Sequence, residues 1–199
     1  MADVATELAG LRADIPPGRS GRWRVERFSV PSVEGVETRP RWARDAAGEY
    51  TQLSRDNVLF MTDLHAELYT QRVAIEQAWQ RGGAVLVTGL GLGLVVDAML
   101  RRPAVDRVVV VEASADVVSL VAPSLSSRHG DRLRVVTADA FAWEPDPADC
   151  FTVGWHDIWP VPQDPVAIAE AQVLEERFAG VCDWQASWPA EYLAAEREA

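Results

Sequence analysis

Lysine, cysteine and long apolar runs are scarce or missing in this 199-residue chain. There is no lysine, so all 19 basic residues are arginine, a bias typical of GC-rich bacterial or phage genomes. Only Cys150 and Cys182 are present, without metal-ligand spacing, which favours free thiols in a reducing cytoplasm and predicts no metal site. The chain has no run of membrane-span length and no basic segment followed by an apolar one, so we expect a cytoplasmic protein without a membrane partner.

Positive charge is also scarce over most of the chain. The formal net charge is -11, and residues 61–199 hold ten arginines against 21 acidic residues. A nucleic-acid surface needs the opposite balance, because it must neutralise phosphates. The charge therefore predicts no nucleic-acid partner.

Three closely spaced glycines follow a short apolar run in the segment AVLVTGLGLG, residues 84–93. The run predicts a buried parallel strand, and the residues from Leu94 onward predict a helix whose N-terminus faces a ligand. Gly89, Gly91 and Gly93 allow the backbone to approach that ligand closely. A dinucleotide fingerprint would need glycine at position 94, where this chain has Leu94, so NAD is disfavoured.

Acidic residues stand where the next two predicted strands end. Glu112 is placed to accept both hydroxyls of a ribose, although an ordinary strand-end acid remains the alternative. Asp139 is placed to accept from an adenine amino group, with Ala140 and Phe141 supplying backbone and apolar contacts. Together with the glycines, these residues predict a nucleoside site.

The fourth predicted strand, residues 151–155, ends at the place expected for reaction chemistry. Asp157 is predicted to orient or deprotonate an acceptor, and His156 is the second candidate. The alternative is that Asp157 only forms strand-end hydrogen bonds and His156 only packs. Trp155 and Trp159 are predicted to line an aromatic acceptor pocket, with a core or interface role as the alternative.

From about residue 48 to residue 162 the chain resembles the spermidine-synthase-like class I S-adenosylmethionine-dependent methyltransferases. The resemblance implies S-adenosylmethionine as cofactor and methyl transfer to a small-molecule acceptor as the reaction. It rests on four features in the family's order, namely Gly89, Gly91 and Gly93; Glu112; Asp139, Ala140 and Phe141; and Asp157.

Three positions depart from the family pattern. Leu92 and Trp159 replace the acids with which aminopropyltransferases hold a diamine, so polyamine synthesis is disfavoured. Val87 replaces an acid that many methyltransferases place two residues before the first loop glycine. Another transformation of the same cofactor, such as alkyl transfer or cleavage, and a non-catalytic protein that kept the fold both stay open.

The predicted fold is an α/β, Rossmann-like doubly wound sheet of order 3-2-1-4-5, shortened by two strands. Residues 1–61 are predicted to form an N-terminal extension with β-hairpins, and residues 62–199 the S-adenosylmethionine-binding domain. A homodimer is expected to cover the exposed sheet edge.

Local signals set further boundaries. They predict a short helix over 3–12, mobile turns over 15–21, and a helix capped at Thr62-Asp63 that ends near Arg81. A helix capped by Ser114 is predicted to end before Pro123.

Overall fold

The computed structural model describes residues 8, 10–31 and 45–192. The helix predicted over residues 3–12 lies largely outside them. The strands are β1 (Gly18–Ser20), β2 (Trp23–Val30), β3 (Gly48–Arg55), β4 (Val58–Thr62), β5 (Gly83–Thr88), β6 (Val105–Glu112), β7 (Leu133–Thr137), β8 (Val153–His156) and β9 (Gln185–Ser187). The helices are α1 (His65–Thr70), α2 (Arg72–Arg81), α3 (Leu94–Leu100), α4 (Ala115–His129) and α5 (Pro165–Phe178). None of these helices is long and apolar enough to cross a membrane.

The parallel sheet has the strand order β7-β6-β5-β8-β9, which confirms the predicted order 3-2-1-4-5. Successive side chains along its strands point to opposite faces, and both faces are buried, as a doubly wound sheet requires. Val85 and Val87 pack with α2, α3 and α4, whereas Leu86 packs with α5. The register pairs Thr88 of β5 with Val111 of β6 and His156 of β8, so their carboxyl ends meet at one edge.

The N-terminal sheet is an antiparallel meander of order β1-β2-β3-β4. The hairpin turn between β3 and β4 lies at Asp56 and Asn57, both with positive φ. The sheet packs against α4, where the Ser20 hydroxyl donates to Asp116 over 2.7 Å. The prediction of mobile turns over 15–21 is wrong, because Ile15 is fully buried and β1 pairs with β2.

The predicted helix from residue 62 to residue 81 is two helices that meet at Gln71. Thr62 ends β4 instead of capping a helix. Asp63 accepts from the backbone N–H groups of Ala13 and Thr51 at 3.0 and 2.6 Å, so it ties the N-terminal segment to β3.

Helix α4 is capped by Ser114 as predicted, but it continues through Pro123 to His129. Proline within a helix removes one backbone hydrogen bond. Here the buried residues Val117, Val121 and Leu125 hold the helix against the sheet on both sides of the proline.

Candidate functional site

A cavity of about 510 Å³ opens where the carboxyl ends of β5, β6, β7 and β8 meet. This is the volume range of small-molecule and cofactor sites, and the location is the one expected in a doubly wound sheet. The structure brings together eight of the predicted site residues in its wall: Gly89, Gly91, Glu112, Asp139, Ala140, Trp155, Asp157 and Trp159. It leaves Gly93, Phe141 and His156 outside that wall.

The glycine loop, residues 89–93, joins β5 to α3. Gly89 has φ +93°, and a Cβ there would collide with the carbonyl oxygen of Asp157, so only glycine lets the two strand ends meet. Gly93 serves packing instead: it has φ +72°, and a Cβ there would collide with Leu125 of α4. The third glycine thus lets helix α4 approach the loop.

Glu112 holds the loop in place from the end of β6. One carboxylate oxygen accepts from the backbone N–H of Leu90 and the other from that of Ser114, both at 2.8 Å. A carboxylate oxygen can accept two hydrogen bonds, so each keeps acceptor capacity for a ligand in the cavity. The geometry fits a pair of ribose hydroxyls without disturbing the loop.

The residues after β7 divide between the cavity and the core. Asp139 is exposed in the cavity wall, and its carboxylate accepts from the backbone N–H of Phe141 over 2.9 Å. Ala140 is buried beside it in the same wall. The Phe141 ring packs against the α5 side of the sheet, so a contact of that ring with a bound nucleoside is not supported.

Asp157 lies at the end of β8, next to the glycine loop. Its backbone N–H donates to Thr88, and its carboxylate accepts from the Gln71 side chain over 2.7 Å. The amide oxygen of Gln71 accepts from the Trp155 indole over 2.7 Å, which fixes the orientation of the amide. Burial raises the pKa of Asp157 to about 7, so this carboxyl exchanges protons near neutral pH.

The His156 side chain lies on the α5 face of the sheet, opposite the face on which Trp155 lies. Its ring is fully buried, stacks on Phe178, and has both nitrogens within hydrogen-bond distance of Thr88 and Gln185 side chains. Burial lowers its pKa to about 4. These contacts correspond to the packing alternative, and His156 lies outside the cavity wall.

Three tryptophans, Trp155, Trp159 and Trp188, form an indole wall in the cavity. Each indole N–H already donates, to Gln71, Glu170 and Thr70 respectively, at 2.7 to 2.9 Å. The rings therefore present carbon surface to the cavity.

The sequence places Glu67, with His65 and Tyr69, near where a ligand could enter, but it does not predict the contributions of Met61 and Gln71. Met61 of β4 lies over the glycine loop, where its sulfur accepts from the backbone N–H of Leu92 over 3.2 Å. Glu67 and Gln71 enter from α1 and from its junction with α2. Their i, i+4 spacing just before β5 places both on one helical face, but it does not indicate which residues Gln71 contacts.

No family model matches the chain, and no curated protein matches it. Solved structures similar to it include ErmE, a 23S rRNA methyltransferase, at 24% identity over 52% of this chain and 39% of that one, with a TM-score of 0.39. A putative caffeoyl-CoA O-methyltransferase from Staphylococcus aureus has 11% identity over 58% and 52% of the two chains, with a TM-score of 0.45. Spermidine synthase from Thermotoga maritima has 17% identity over 70% and 46%, with a TM-score of 0.45.

The chain spans about two fifths to one half of the length of these three structures. Similarities of this size carry no argument about function.

Proposed function

We propose that this protein is an S-adenosylmethionine-dependent methyltransferase that acts on a small-molecule acceptor. One observation carries the proposal: a single cavity of about 510 Å³ is lined by the glycine loop, Glu112, Asp139 and Asp157, whose carboxyl group lies on the strand end beside the loop. A cofactor site and an acceptor site are thus continuous. We also propose that the chain belongs to the spermidine-synthase-like group of these methyltransferases.

The residues present fit the nucleoside of this cofactor. Glu112 keeps acceptor capacity for the ribose hydroxyls, and Asp139 is exposed in the wall to accept from the adenine amino group. Gly89 has no side chain, so its backbone can lie close to the bound nucleoside. No pyrophosphate is expected, because the loop lacks the dinucleotide fingerprint.

The fit is poorer for a diamine. Leu92 is buried outside the cavity wall, and Trp159 gives its indole N–H to Glu170. Neither position offers a carboxylate to a second amino group, so aminopropyl transfer is disfavoured.

Asp157 is the residue proposed to act on the acceptor. When bound, S-adenosylmethionine supplies an electrophilic methyl group on a sulfonium that is its own leaving group. The chain then has to align the acceptor atom and take up its proton where it carries one. A carboxyl with a pKa of about 7 in the cavity wall, held on one side by Gln71, is suited to that task.

The proposal is tested by transfer of a labelled methyl group from S-adenosylmethionine to pools of small amines, phenols and carboxylates. We expect Asp157→Asn to depress transfer at least about tenfold, since it removes the proton acceptor. Binding of 5′-methylthioadenosine should stay unchanged, because the ribose and adenine contacts lie elsewhere. Glu176→Gln, on the exposed surface of α5, is the matched control.

Full transfer activity in Asp157→Asn would contradict the assignment. Label that leaves the cofactor only as 5′-methylthioadenosine would favour another transformation of the cofactor, because transfer or cleavage of the aminoalkyl portion keeps the methyl group on sulfur. No transfer across all the pools, together with recovery of a protein partner, would favour the non-catalytic alternative.

A further inference from the structure

Glu67 and Asp157, here called the acidic pair, line the same cavity, and both lie beside Gln71, which is four residues after Glu67 and donates to Asp157. Each carboxyl group has one oxygen held in place. One oxygen of Glu67 accepts from the backbone N–H and the hydroxyl of Thr62 at 2.7 and 2.6 Å. One oxygen of Asp157 accepts from Gln71 at 2.7 Å.

Within the described part of the chain, the hydrogen bonds to these two carboxyls all go to one oxygen of each, Oε2 of Glu67 and Oδ2 of Asp157, and the second oxygen of each has no protein partner there. The acidic pair is therefore oriented but incomplete. It presents two acceptor atoms to a cavity large enough for a ligand.

Among the residues that the structure describes, no arginine or histidine pairs with either carboxyl of the acidic pair. Burial is the main reason that the pKa of Glu67 rises to about 7, and the nearby charges of Asp157 and Asp63 raise it further. The arginines of the cavity wall, Arg22 and Arg55, lie on the N-terminal sheet, where Arg22 pairs with Asp56 and Arg55 lies over Trp23. Two desolvated carboxyls without a cation are costly, and a bound cation would offset that cost.

The wall around the acidic pair favours an ammonium over other ligands. The indole N–H groups of Trp155, Trp159 and Trp188 are all engaged, so they offer no donor to an anion. Their ring carbons suit an apolar or cationic group. A primary ammonium has three donors in a compact head, enough for two carboxylate oxygens and a third partner.

We propose that Glu67 and Asp157 together bind one primary ammonium group. The inference rests on the proposed function, because the ammonium has two possible sources there. The first source is the methionine portion of the cofactor. The other source is an amine acceptor. Val87, which also lines the cavity, offers no carboxyl of its own to the cofactor's amino group.

The first arm of the test is calorimetry with S-adenosylhomocysteine and with 5′-methylthioadenosine, which has the same nucleoside but no amino group on its side chain. If the cofactor is the source, Glu67→Gln weakens S-adenosylhomocysteine at least about tenfold and leaves 5′-methylthioadenosine within about twofold. Glu176→Gln should change neither. Glutamine can still accept from Thr62, so the local hydrogen bonds survive the substitution.

The second arm uses phenethylamine and its neutral match 2-phenylethanol, added to the protein saturated with S-adenosylhomocysteine. If an acceptor is the source, phenethylamine alone raises the melting temperature of the wild type, and Glu67→Gln loses that shift. Asp157→Asn should lose it too.

The inference is overturned if Glu67→Gln changes neither the preference between the two nucleosides nor the response to phenethylamine. It is also overturned if the neutral alcohol binds as well as the amine. Failure of the proposed function is a separate outcome: the wild type would then bind neither nucleoside, while binding of phenethylamine to the free protein, lost in Glu67→Gln, would still support the ammonium site.

Discussion

At the scale of single residues, the pKa values of Glu67 and Asp157 make stability depend on pH in a defined direction. Both rise to about 7 from ordinary values of 4.5 and 3.8, mainly through burial. Between those ordinary values and pH 7 the folded chain holds more protons than the unfolded chain. The free energy of unfolding therefore falls as pH rises through this window and is constant with respect to these groups above it.

We predict that Glu67→Gln removes part of the fall in the free energy of unfolding that occurs as pH rises towards 7. Its melting temperature should match that of the wild type near pH 4.5 and exceed it at pH 8, by about 2 to 4 °C for each kcal/mol gained. Calorimetric melting from pH 4.5 to pH 8 measures this difference, with Glu176→Gln as control.

The lowered pKa of His156, about 4, acts in the opposite direction. It removes stability as pH falls from about 6.5 towards 4. That contribution is the same in both proteins and cancels in the comparison. Parallel pH profiles for Glu67→Gln and the wild type would show that the Glu67 carboxyl is not desolvated.

The residues whose position in the cavity wall the sequence could predict are those that directly follow a strand. Glu112, Asp139 and Asp157 were found in this way, because parallel strands end at one edge. The role of Gln71 could not be found, since it depends on Asp157 and Trp155, which are 86 and 84 residues away in the chain.

At the scale of elements, local patterns predicted the strands well and some helix ends poorly. Apolar runs between glycines and charged residues set β5, β6 and β7, whose burial follows directly from composition. The break at Gln71 and the passage of α4 through Pro123 depend on tertiary contacts that override the local preference. Burial of Ile15 in the core has the same origin.

The contact between the glycine loop and α4 gives a prediction at this scale. Gly93→Ala should cost about 2 to 4 kcal/mol of the free energy of unfolding, because a positive φ and a collision with Leu125 add together. Gly130→Ala is the matched control: it has φ +54° but nothing within 4 Å of the new Cβ, so about 1 kcal/mol is expected. Urea denaturation measures both.

Equal costs for the two substitutions would mean that Leu125 moves aside freely. The close packing of α4 on the loop would then have no energetic weight.

At the scale of the whole molecule, the N-terminal sheet and the parallel sheet contribute to one core and one cavity. Val25 and Leu53 belong to the same buried cluster as Val85 and Val87. Met61 reaches from β4 to the glycine loop. The division at residues 61 and 62 stays a prediction, and the cavity needs both parts.

One of the two outer strands of the N-terminal sheet, β4, gives a prediction about assembly. In β4, Val58 and Leu59 are 59% and 52% exposed, and the strand has a free edge among the described residues. Such an edge favours pairing with a second copy. We predict a homodimer of about twice the 21.9 kDa chain mass in light scattering, and Leu59→Asp should shift it towards monomer. A mass of 21.9 kDa at all concentrations would contradict the prediction.

The central claim, that the cavity binds the nucleoside of S-adenosylmethionine, is tested most directly by calorimetric titration with S-adenosylhomocysteine. We predict binding to the wild type and to Glu176→Gln, and no heat with NAD. Glu112→Ala, its fold checked by circular dichroism, should weaken binding by about 1.5 to 3 kcal/mol, because it removes charge-assisted hydrogen bonds to the ribose. Absence of binding to the wild type, or an unchanged affinity in Glu112→Ala, would contradict the account.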